Sequence, residues 1–346
     1  MANLTETSAW KNLQNQSDEF KQESFRLVNL FSEKNRFKSF SLTHEDLLLD
    51  FSKNFITSES LKALIELAKE CQLPAAIKAM FAGAKVNCSE DRAALHTALR
   101  IPEKENPHFE IVNCLKNMDD IVSAINLGTW KGYNGQPIRD VVNIGIGGSD
   151  LGPSMVCEAL IDFSVSDLNL HFVSNVDPAH LNGILKNLVP ATTLFIIASK
   201  SFTTIETQLN AETAKAWLLS GAESTDLIKN HFIAVTSNID AAKDFGVEET
   251  NVLPIWEWVG GRFSLWSAIG LPIALLVGMP QFRELLAGAH SMDEHFQFTD
   301  LNENLPVVMA LMSIWYGGFF DCHSSAIVPY SQHLKQFPSY SQQLYM

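Results

Sequence analysis

The sequence predicts an α/β protein whose centre is a three-layer α/β/α sandwich with a five-stranded parallel sheet. Two observations support this fold class. From about residue 140 onward, short apolar runs alternate with stretches long enough for crossover helices, as expected for parallel strands that are buried on both faces. Two of these runs end in glycine-rich or hydroxyl-rich turns, which would lie at the carboxyl edge of the sheet. The predicted strands are 141–146, 170–174, 193–198, 231–235 and 252–255.

Composition indicates a large globular chain with more than one structural unit. The 346 residues exceed the usual size of one domain, and 46% of them are hydrophobic. A net charge of −14 would repel polyanions, so we expect no nucleic acid and no membrane as a partner. The chain has an odd number of cysteines, five, and no C-x-x-C pair, which argues against a disulfide framework or a zinc site. We expect reduced thiols and a cytoplasmic location.

No secretory or membrane-spanning segment is predicted. Residues 1–13 contain no apolar run of signal-peptide length. The longest apolar stretch, 265–279, is interrupted by Ser267 and Pro272 and is shorter than the ~20 residues that cross a bilayer. This stretch is predicted to be a buried helix.

The region before the sheet is predicted to be helical. One helix covers residues 58–71, with Ser58 as its N-cap, and another lies around residues 20–31. In residues 90–100, a four-residue spacing places three basic side chains on one stripe of a predicted helix: Arg92, His96 and Arg100. We expect this stripe to be a solvated or interface face rather than a ligand site.

The turn after the first predicted strand has the composition of an anion site. Gly145, Gly147 and Gly148 allow the backbone to approach a ligand, and Ser149 adds a hydroxyl at the start of the next helix. Known motifs fit poorly, because a dinucleotide fingerprint needs glycine at Asp150 and a P-loop needs lysine where the chain has proline. A nucleophile elbow also fails, since it would need a glycine two residues after the serine. A phosphate site without nucleotide chemistry remains.

A second turn, after the third predicted strand, uses hydroxyls instead of glycines. Ser199, Ser201, Thr203 and Thr204 surround Lys200. Because both turns follow strands of one parallel sheet, we expect them to bind one phosphorylated ligand together.

Arg262 is the candidate catalytic residue. It follows two glycines, so its backbone can approach a ligand, and its permanent charge can stabilise a developing oxyanion. The alternative is a buried ion pair with Glu257 or Asp150. Beyond it, a second unit is predicted to begin near residues 279–282, with a strand at 325–330 and a helix at 331–346.

These residues resemble the phosphoglucose isomerase family, whose members contain two sugar-isomerase domains. The resemblance covers nearly the whole chain, and four segments carry it: SEDRAALHTALR at 89–100, NIGIGGSDLGP at 143–153, ASKSFTT at 198–204 and VGGRFSLWSAIG at 259–270. It implies interconversion of D-glucose 6-phosphate and D-fructose 6-phosphate through a cis-enediol intermediate. It also implies a hexose phosphate as the small-molecule partner, a homodimer, and no metal or organic cofactor.

The resemblance assigns roles to individual positions. Gly148 and Ser149 would line the sugar-phosphate pocket, and Arg262 would stabilise the enediolate. Gln343 would contact the substrate. Ser201 replaces an expected threonine but keeps the hydroxyl donor. The residues that would hold the phosphate are Ser199, Lys200, Ser201 and Thr204.

The resemblance also implies a domain order and a missing base. We expect a helical region at 1–115, a first sugar-isomerase domain at 116–280, and the incomplete start of a second at 281–346. In the family, the glutamate that acts as base follows the position of Met346, and a histidine and a lysine for proton handling lie further on. The 346-residue chain alone is therefore expected to be nearly inert as an isomerase.

Two alternatives remain open. A non-catalytic sugar-phosphate-binding module would share the fold, as in the sensor domains of regulators, but the sequence has no helix-turn-helix or basic segment. An aminosugar-phosphate isomerase or synthase uses similar turns, but residues 90–100 argue against it.

Overall fold

The computed structural model describes residues 4–22, 25–220 and 227–345. They form two compact units, one from Met1–Asp91 with Ser291–Ala326 and the other from Arg92–His290 with Ile327–Met346. The domain bounds expected from the sequence stay a prediction. The helices, in chain order, are α1 (Ser8–Phe20), α2 (Arg36–Ser39), α3 (Ser58–Glu70), α4 (Leu73–Phe81), α5 (Phe109–Asn126), α6 (Leu151–Ala159), α7 (Pro178–Leu185), α8 (Ile205–Leu219), α9 (Ile228–His231), α10 (Ile239–Phe245), α11 (Leu271–Phe298), α12 (Leu305–Phe319) and α13 (Phe337–Tyr345).

The first unit is mainly helical, with one antiparallel hairpin of strands β1 (Ser41–His44) and β2 (Leu47–Asp50). Its core packs α1, α3 and α12 around the fully buried Trp315. Helix α3 confirms the helix predicted at 58–71, but its N-cap is Thr57, whose hydroxyl accepts a hydrogen bond from the backbone N–H of Ser60. The segment at 27–32 forms a 3₁₀ helix, separate from α1.

The second unit contains the predicted parallel sheet. The strand order is β4-β3-β5-β6-β7, and every neighbouring pair is parallel. The predicted bounds agree with the observed ones within one residue at each end. The strands are β3 (Asp140–Gly145), β4 (Asn169–Val173), β5 (Thr193–Ala198), β6 (Phe232–Thr236) and β7 (Val252–Pro254).

Alternate residues of the strands enter separate hydrophobic cores on the two faces of the sheet. Val141 and Ile196 belong to the core that includes residues of α5, α6 and α11. Val142 and Ile197, one position further along, belong to the core that includes residues of α7, α8 and α10. This alternation produces the three-layer sandwich, and the predicted fold class is confirmed.

Helix α11 contains the long apolar stretch. The helical stretch Ala268–Phe298 is long and apolar enough to cross a membrane, but 72% of its apolar 18-residue segment is buried inside the protein, as in the core helix of a globular unit. Gly278, with φ of +83°, interrupts the helical backbone just before Pro280. The prediction of a buried helix at 265–279 is confirmed from Leu271 onward, whereas residues 265–270 form 3₁₀ turns.

The strand predicted at 325–330 is wrong. These residues have no regular structure, and the side chains of Val328 and Tyr330 are exposed. The apolar pattern is typical of a strand, but no strand of the described residues pairs with it, and an isolated strand lacks the hydrogen bonds that define one. The predicted helix at 331–346 is observed in part, as a 3₁₀ turn at Gln332–Leu334 followed by α13.

Candidate active site

The first turn (Gly147–Ser149) leaves strand β3 and leads directly into α6. Gly147 has a φ of +58°, in the left-handed region that favours glycine. At Gly148 a Cβ atom would lie 2.0 Å from the carbonyl oxygen of Gly261, so only glycine allows these two backbones to touch. The first turn is therefore in direct contact with the segment that precedes Arg262.

The second turn (199–204) leaves strand β5 and leads into α8. Its hydroxyls are close to one another. The Ser199 hydroxyl donates to Thr204 Oγ1 at 3.3 Å, and the Ser201 and Thr203 hydroxyl oxygens are 2.7 Å apart. Thr204 occupies the N-cap position of α8, but its side chain makes no capping hydrogen bond. The positive end of the helix dipole is therefore next to the hydroxyls.

The two turns meet because β3 and β5 are adjacent, with Gly145 opposite Ala198. In the order β4-β3-β5, consecutive strands lie on opposite sides of β3, which makes this edge the topological switch point where such sheets bind ligands. A cleft of about 260 Å³ opens there. Its lining residues are Ile146, Gly148, Ser149, Ala198, Ser199, Lys200, Ser201, Thr204, Glu257 and Gly261. The structure thus brings together six of the predicted site residues.

Lys200 is held by protein acceptors. Its ammonium group donates to the backbone carbonyl oxygens of Glu257, at 2.9 Å, and Val259, at 3.2 Å, and lies 3.5 Å from the Glu257 carboxylate. That carboxylate also contacts the Arg92 guanidinium and accepts a hydrogen bond from the Ser237 hydroxyl. Burial acts to raise the pKa of Glu257, but the charges of Lys200 and Arg92 and the hydrogen bonds from Ser237 and Lys200 together lower it, so the net shift is downward.

Glu257 is a residue of the cleft wall that the sequence did not assign to the site. In the sequence analysis, Glu257 is only a possible ion-pair partner of Arg262. Within the described residues, Arg262 forms no ion pair, and the acidic partner of Lys200 is Glu257. The Arg262 side chain is exposed, in the 3₁₀ segment Gly261–Trp266 that adjoins the cleft. The alternative interpretation of Arg262 as a buried ion-pair residue is therefore wrong.

Gln343 approaches the first turn from α13. Its Nε2 atom lies 3.6 Å from the position that a Cβ atom of Gly147 would occupy. Helix α13 and the residues before it are attached to α6 by a 2.9 Å hydrogen bond from the Ser154 hydroxyl to Gln336 and by a 2.7 Å ion pair between Lys335 and Glu158. Gln343 is thus close to the first turn, although it does not line the cleft itself.

Asp150, directly after the first turn, is buried with only 7% of its surface exposed. Burial raises its pKa to about 6, although a hydrogen bond with Ser174 and the charge of His180 act in the opposite direction. Its Oδ1 atom has no hydrogen-bond partner among the described residues. No sequence signal indicates this burial, because the motif shows only an acidic residue at a helix start, where exposed carboxylates are common.

The helix predicted at 90–100 is wrong. Asp91 has a φ of +50°, and only His96–Arg100 is helical, as a 3₁₀ turn. Arg100 is 8% exposed and its guanidinium lies over the Trp266 ring, so the expected solvated or interface stripe is also wrong. The segment packs along residues 257–266 of the same unit, which sequence periodicity cannot show.

The parallel sheet and the cleft at its switch point define an α/β sandwich protein of the kind that binds a small ligand beyond the carboxyl ends of its strands. The chain belongs to the phosphoglucose isomerase family, whose sequence model matches residues 50–346.

Three comparisons describe its relatives. A glucose-6-phosphate isomerase of Shewanella halifaxensis is 49% identical over 355 aligned positions, which cover 100% of this chain and 64% of that protein. The crystal structure of a glucose-6-phosphate isomerase from Chlamydia trachomatis has a TM-score of 0.84 at 26% identity and covers 99% of this chain and 66% of that one. A hypothetical protein from Thermus thermophilus has a TM-score of 0.51 at 26% identity, over 72% of this chain and 59% of that one. The chain spans just under two thirds of the length of the two isomerases it matches.

Proposed function

We propose that this chain supplies the sugar-phosphate site of a glucose-6-phosphate isomerase, which interconverts D-glucose 6-phosphate and D-fructose 6-phosphate. The observation that carries the proposal is the convergence of two turns, distant in sequence, on one cleft in a chain of this family. The proposal includes a homodimer in the cytoplasm, without a metal or an organic cofactor.

The phosphate is held by the second turn. The hydroxyls of Ser199, Ser201 and Thr204 donate to its oxygens, and the first turn contributes the Ser149 hydroxyl and the backbone at Gly148. Lys200 adds positive charge from the wall of the cleft. A cleft of about 260 Å³ suits the phosphoryl end of a sugar rather than a whole nucleotide.

The phosphate contacts fix the sugar so that its first two carbons face the catalytic groups. After ring opening, a base removes the proton from C2, and the electron pair of that bond forms the enediolate. Arg262 stabilises the negative charge on oxygen, and Gln343 contacts the sugar. The base then returns a proton to C1. We expect a carboxylate for this base, at the family position that follows Met346.

Ligand titration of the 346-residue chain tests the proposal. Calorimetry should detect binding of fructose 6-phosphate and glucose 6-phosphate, weaker binding of inorganic phosphate, and no binding of fructose. Thr204→Val should weaken sugar-phosphate binding about ten- to hundredfold, since a hydrogen bond to a charged group is worth ~1.5–3 kcal/mol. Thr213→Val is the matched control, because Thr213 lies on α8 with its hydroxyl donating to the carbonyl oxygen of Leu209.

A coupled assay separates the enzyme from a non-catalytic binding module. A longer polypeptide that continues through the expected base should isomerise fructose 6-phosphate, and binding without turnover by that polypeptide would favour the binding module. If neither hexose phosphate binds the chain, the proposed function is wrong.

A further inference from the structure

The segment 92–100 follows the stretch 257–266 through a series of contacts in parallel order. The Arg92 guanidinium contacts the Glu257 carboxylate, and the backbone N–H of Leu95 donates to the carbonyl oxygen of Trp258 at 3.3 Å. Further along, the His96 ring stacks on Phe263, and Arg100 lies over Trp266. The matching order of these contacts shows that the two segments run side by side, and the second of them carries Arg262.

The contact between His96 and Phe263 is the one next to Arg262. The two ring centroids are 4.7 Å apart with an interplanar angle of 21°, an arrangement of stacked rings. Neither ring nitrogen of His96 has a hydrogen-bond partner within the described residues. The stacking of its ring face on Phe263 is therefore its main contact with this segment. Aromatic pairs in such contact contribute beyond their buried area.

The backbone of Arg262 is held in place through its two neighbours in sequence. On one side, the carbonyl of Gly261 touches the backbone of Gly148, where a Cβ atom would lie 2.0 Å from the Gly261 oxygen. On the other side, Phe263 is covered by His96. Arg262 itself forms no ion pair among the described residues, and its side chain is exposed. These flanking contacts, together with the hydrogen bonds of the 3₁₀ segment Gly261–Trp266, hold the backbone at Arg262.

We propose that His96 is a positioning residue for Arg262: its ring, stacked on Phe263, holds the segment that presents the guanidinium to the sugar. The inference rests on the proposed function, because it assumes that Arg262 faces the reacting carbons rather than the phosphate.

The electrostatic environment agrees with this role. Burial, with a smaller contribution from the Arg100 guanidinium, lowers the pKa of His96 to about 4. The ring is therefore neutral at pH 7, and the stack adds no positive charge beside Arg262 that would compete for an anionic intermediate.

The test compares two probes that report on different parts of the site. Inorganic phosphate reports on the two turns. The hydroxamate of a phosphorylated five-carbon aldonic acid adds a planar anionic group that mimics the enediolate and depends on Arg262. His96→Ala should weaken hydroxamate binding about three- to tenfold, the range expected for one aromatic contact, and leave phosphate binding unchanged. His96→Phe should restore the affinity, because it keeps the stacked ring.

A double-mutant cycle shows whether His96 acts through Arg262. In an Arg262→Ala background, the effect of His96→Ala on hydroxamate binding should disappear. His171→Ala is the matched control, because that histidine lies on β4 with its ring near Asp140. This variant should bind both probes as the parent chain does. If His96→Ala does not fold, His96→Leu and His96→Phe replace it, and weaker hydroxamate binding by the leucine variant alone supports the proposal.

Three outcomes would overturn the positioning role. They are unchanged hydroxamate binding in His96→Ala, an equal loss for both probes, and an undiminished effect in the Arg262→Ala background. Failure of the proposed function looks different, because the parent chain would then bind neither hexose phosphates nor the hydroxamate.

Discussion

The ammonium group of Lys200 donates a 2.9 Å hydrogen bond to the backbone carbonyl oxygen of Glu257. The two residues are far apart in sequence, and their contact joins the second turn to the stretch that leads to Arg262. Lys200 also lies 3.5 Å from the Glu257 carboxylate, so its charge compensates an acidic group in the wall of the cleft. In this structure Lys200 organises the cleft through its protein contacts, and it acts on an anion mainly through its charge.

Lys200→Met should weaken the binding of inorganic phosphate roughly tenfold. The substitution removes a positive charge and leaves Arg92 as the one described cation paired with the Glu257 carboxylate beside the anion. In a Glu257→Gln background the same substitution should cost less, with a coupling of ~0.2–1 kcal/mol for this partly exposed pair. Calorimetric titration of the parent, the two single variants and the double variant measures the coupling. Strict additivity would show that the pair does not act as a unit.

Gly148→Ala should destabilise the protein by about 3 kcal/mol and abolish phosphate binding. The added methyl group would lie 2.0 Å from the carbonyl oxygen of Gly261, and a backbone contact of this kind relaxes only if one turn moves. Gly183→Ala is the control, because nothing lies within 4 Å of its Cβ position in α7. The free energy of unfolding of this variant should rise by about 0.5–1 kcal/mol, because alanine is favoured over glycine inside a helix. Urea denaturation measures both effects, and similar results for the two variants would contradict the contact.

Asp150→Asn should stabilise the protein at neutral pH. The carboxyl group of folded Asp150 keeps its proton up to a pKa of about 6, whereas the unfolded chain releases it near 3.8. Between these values the folded state binds more protons, so the free energy of unfolding falls as the pH rises. The variant lacks this dependence, and its advantage should grow from near zero at pH 4 to ~1–3 kcal/mol at pH 7. Urea denaturation at several pH values checks this, and a constant difference would argue against the raised pKa.

Thiol reactivity should divide the five cysteines into two groups. Cys71, Cys88 and Cys322 are exposed, whereas Cys114 and Cys157 are buried. Burial raises the pKa of Cys114 to about 12 and also raises that of Cys157, so neither forms the reactive thiolate at neutral pH. A chromogenic disulfide reagent should modify three thiols in the native protein and five in denaturant. Rapid modification of all five without denaturant would contradict the buried positions.

Arg262→Ala should lower kcat far more than it raises KM in a polypeptide that carries the base. The guanidinium is expected to interact with charge that develops only as the enediolate forms, so the substrate complex loses little. Steady-state assays in both directions provide the measurement. A loss confined to KM would instead assign Arg262 to ordinary substrate binding.

The sequence predicted the sheet and both turns because their signals are local. A β-branched apolar run such as 141–146 predicts a buried strand wherever it lies, and glycines or hydroxyls at its end mark the point where the backbone turns toward a ligand. Six residues of the cleft, including Ser149 and Ser199, could therefore be assigned before any contact was known. Arg262 could also be proposed from the two glycines before it, whereas Gln343 comes from the family resemblance alone.

Only the tertiary structure decided which partners these residues have. It assigned Glu257 to Lys200 and Arg92 rather than to Arg262, buried Asp150, and replaced the helix predicted at 90–100 with a segment packed along residues 257–266. It also left residues 325–330 without a neighbouring strand in the part of the chain that it describes. Periodicity and propensity depend only on the residues within one segment. Ion pairs, burial and strand pairing depend on groups brought together from distant positions in the chain.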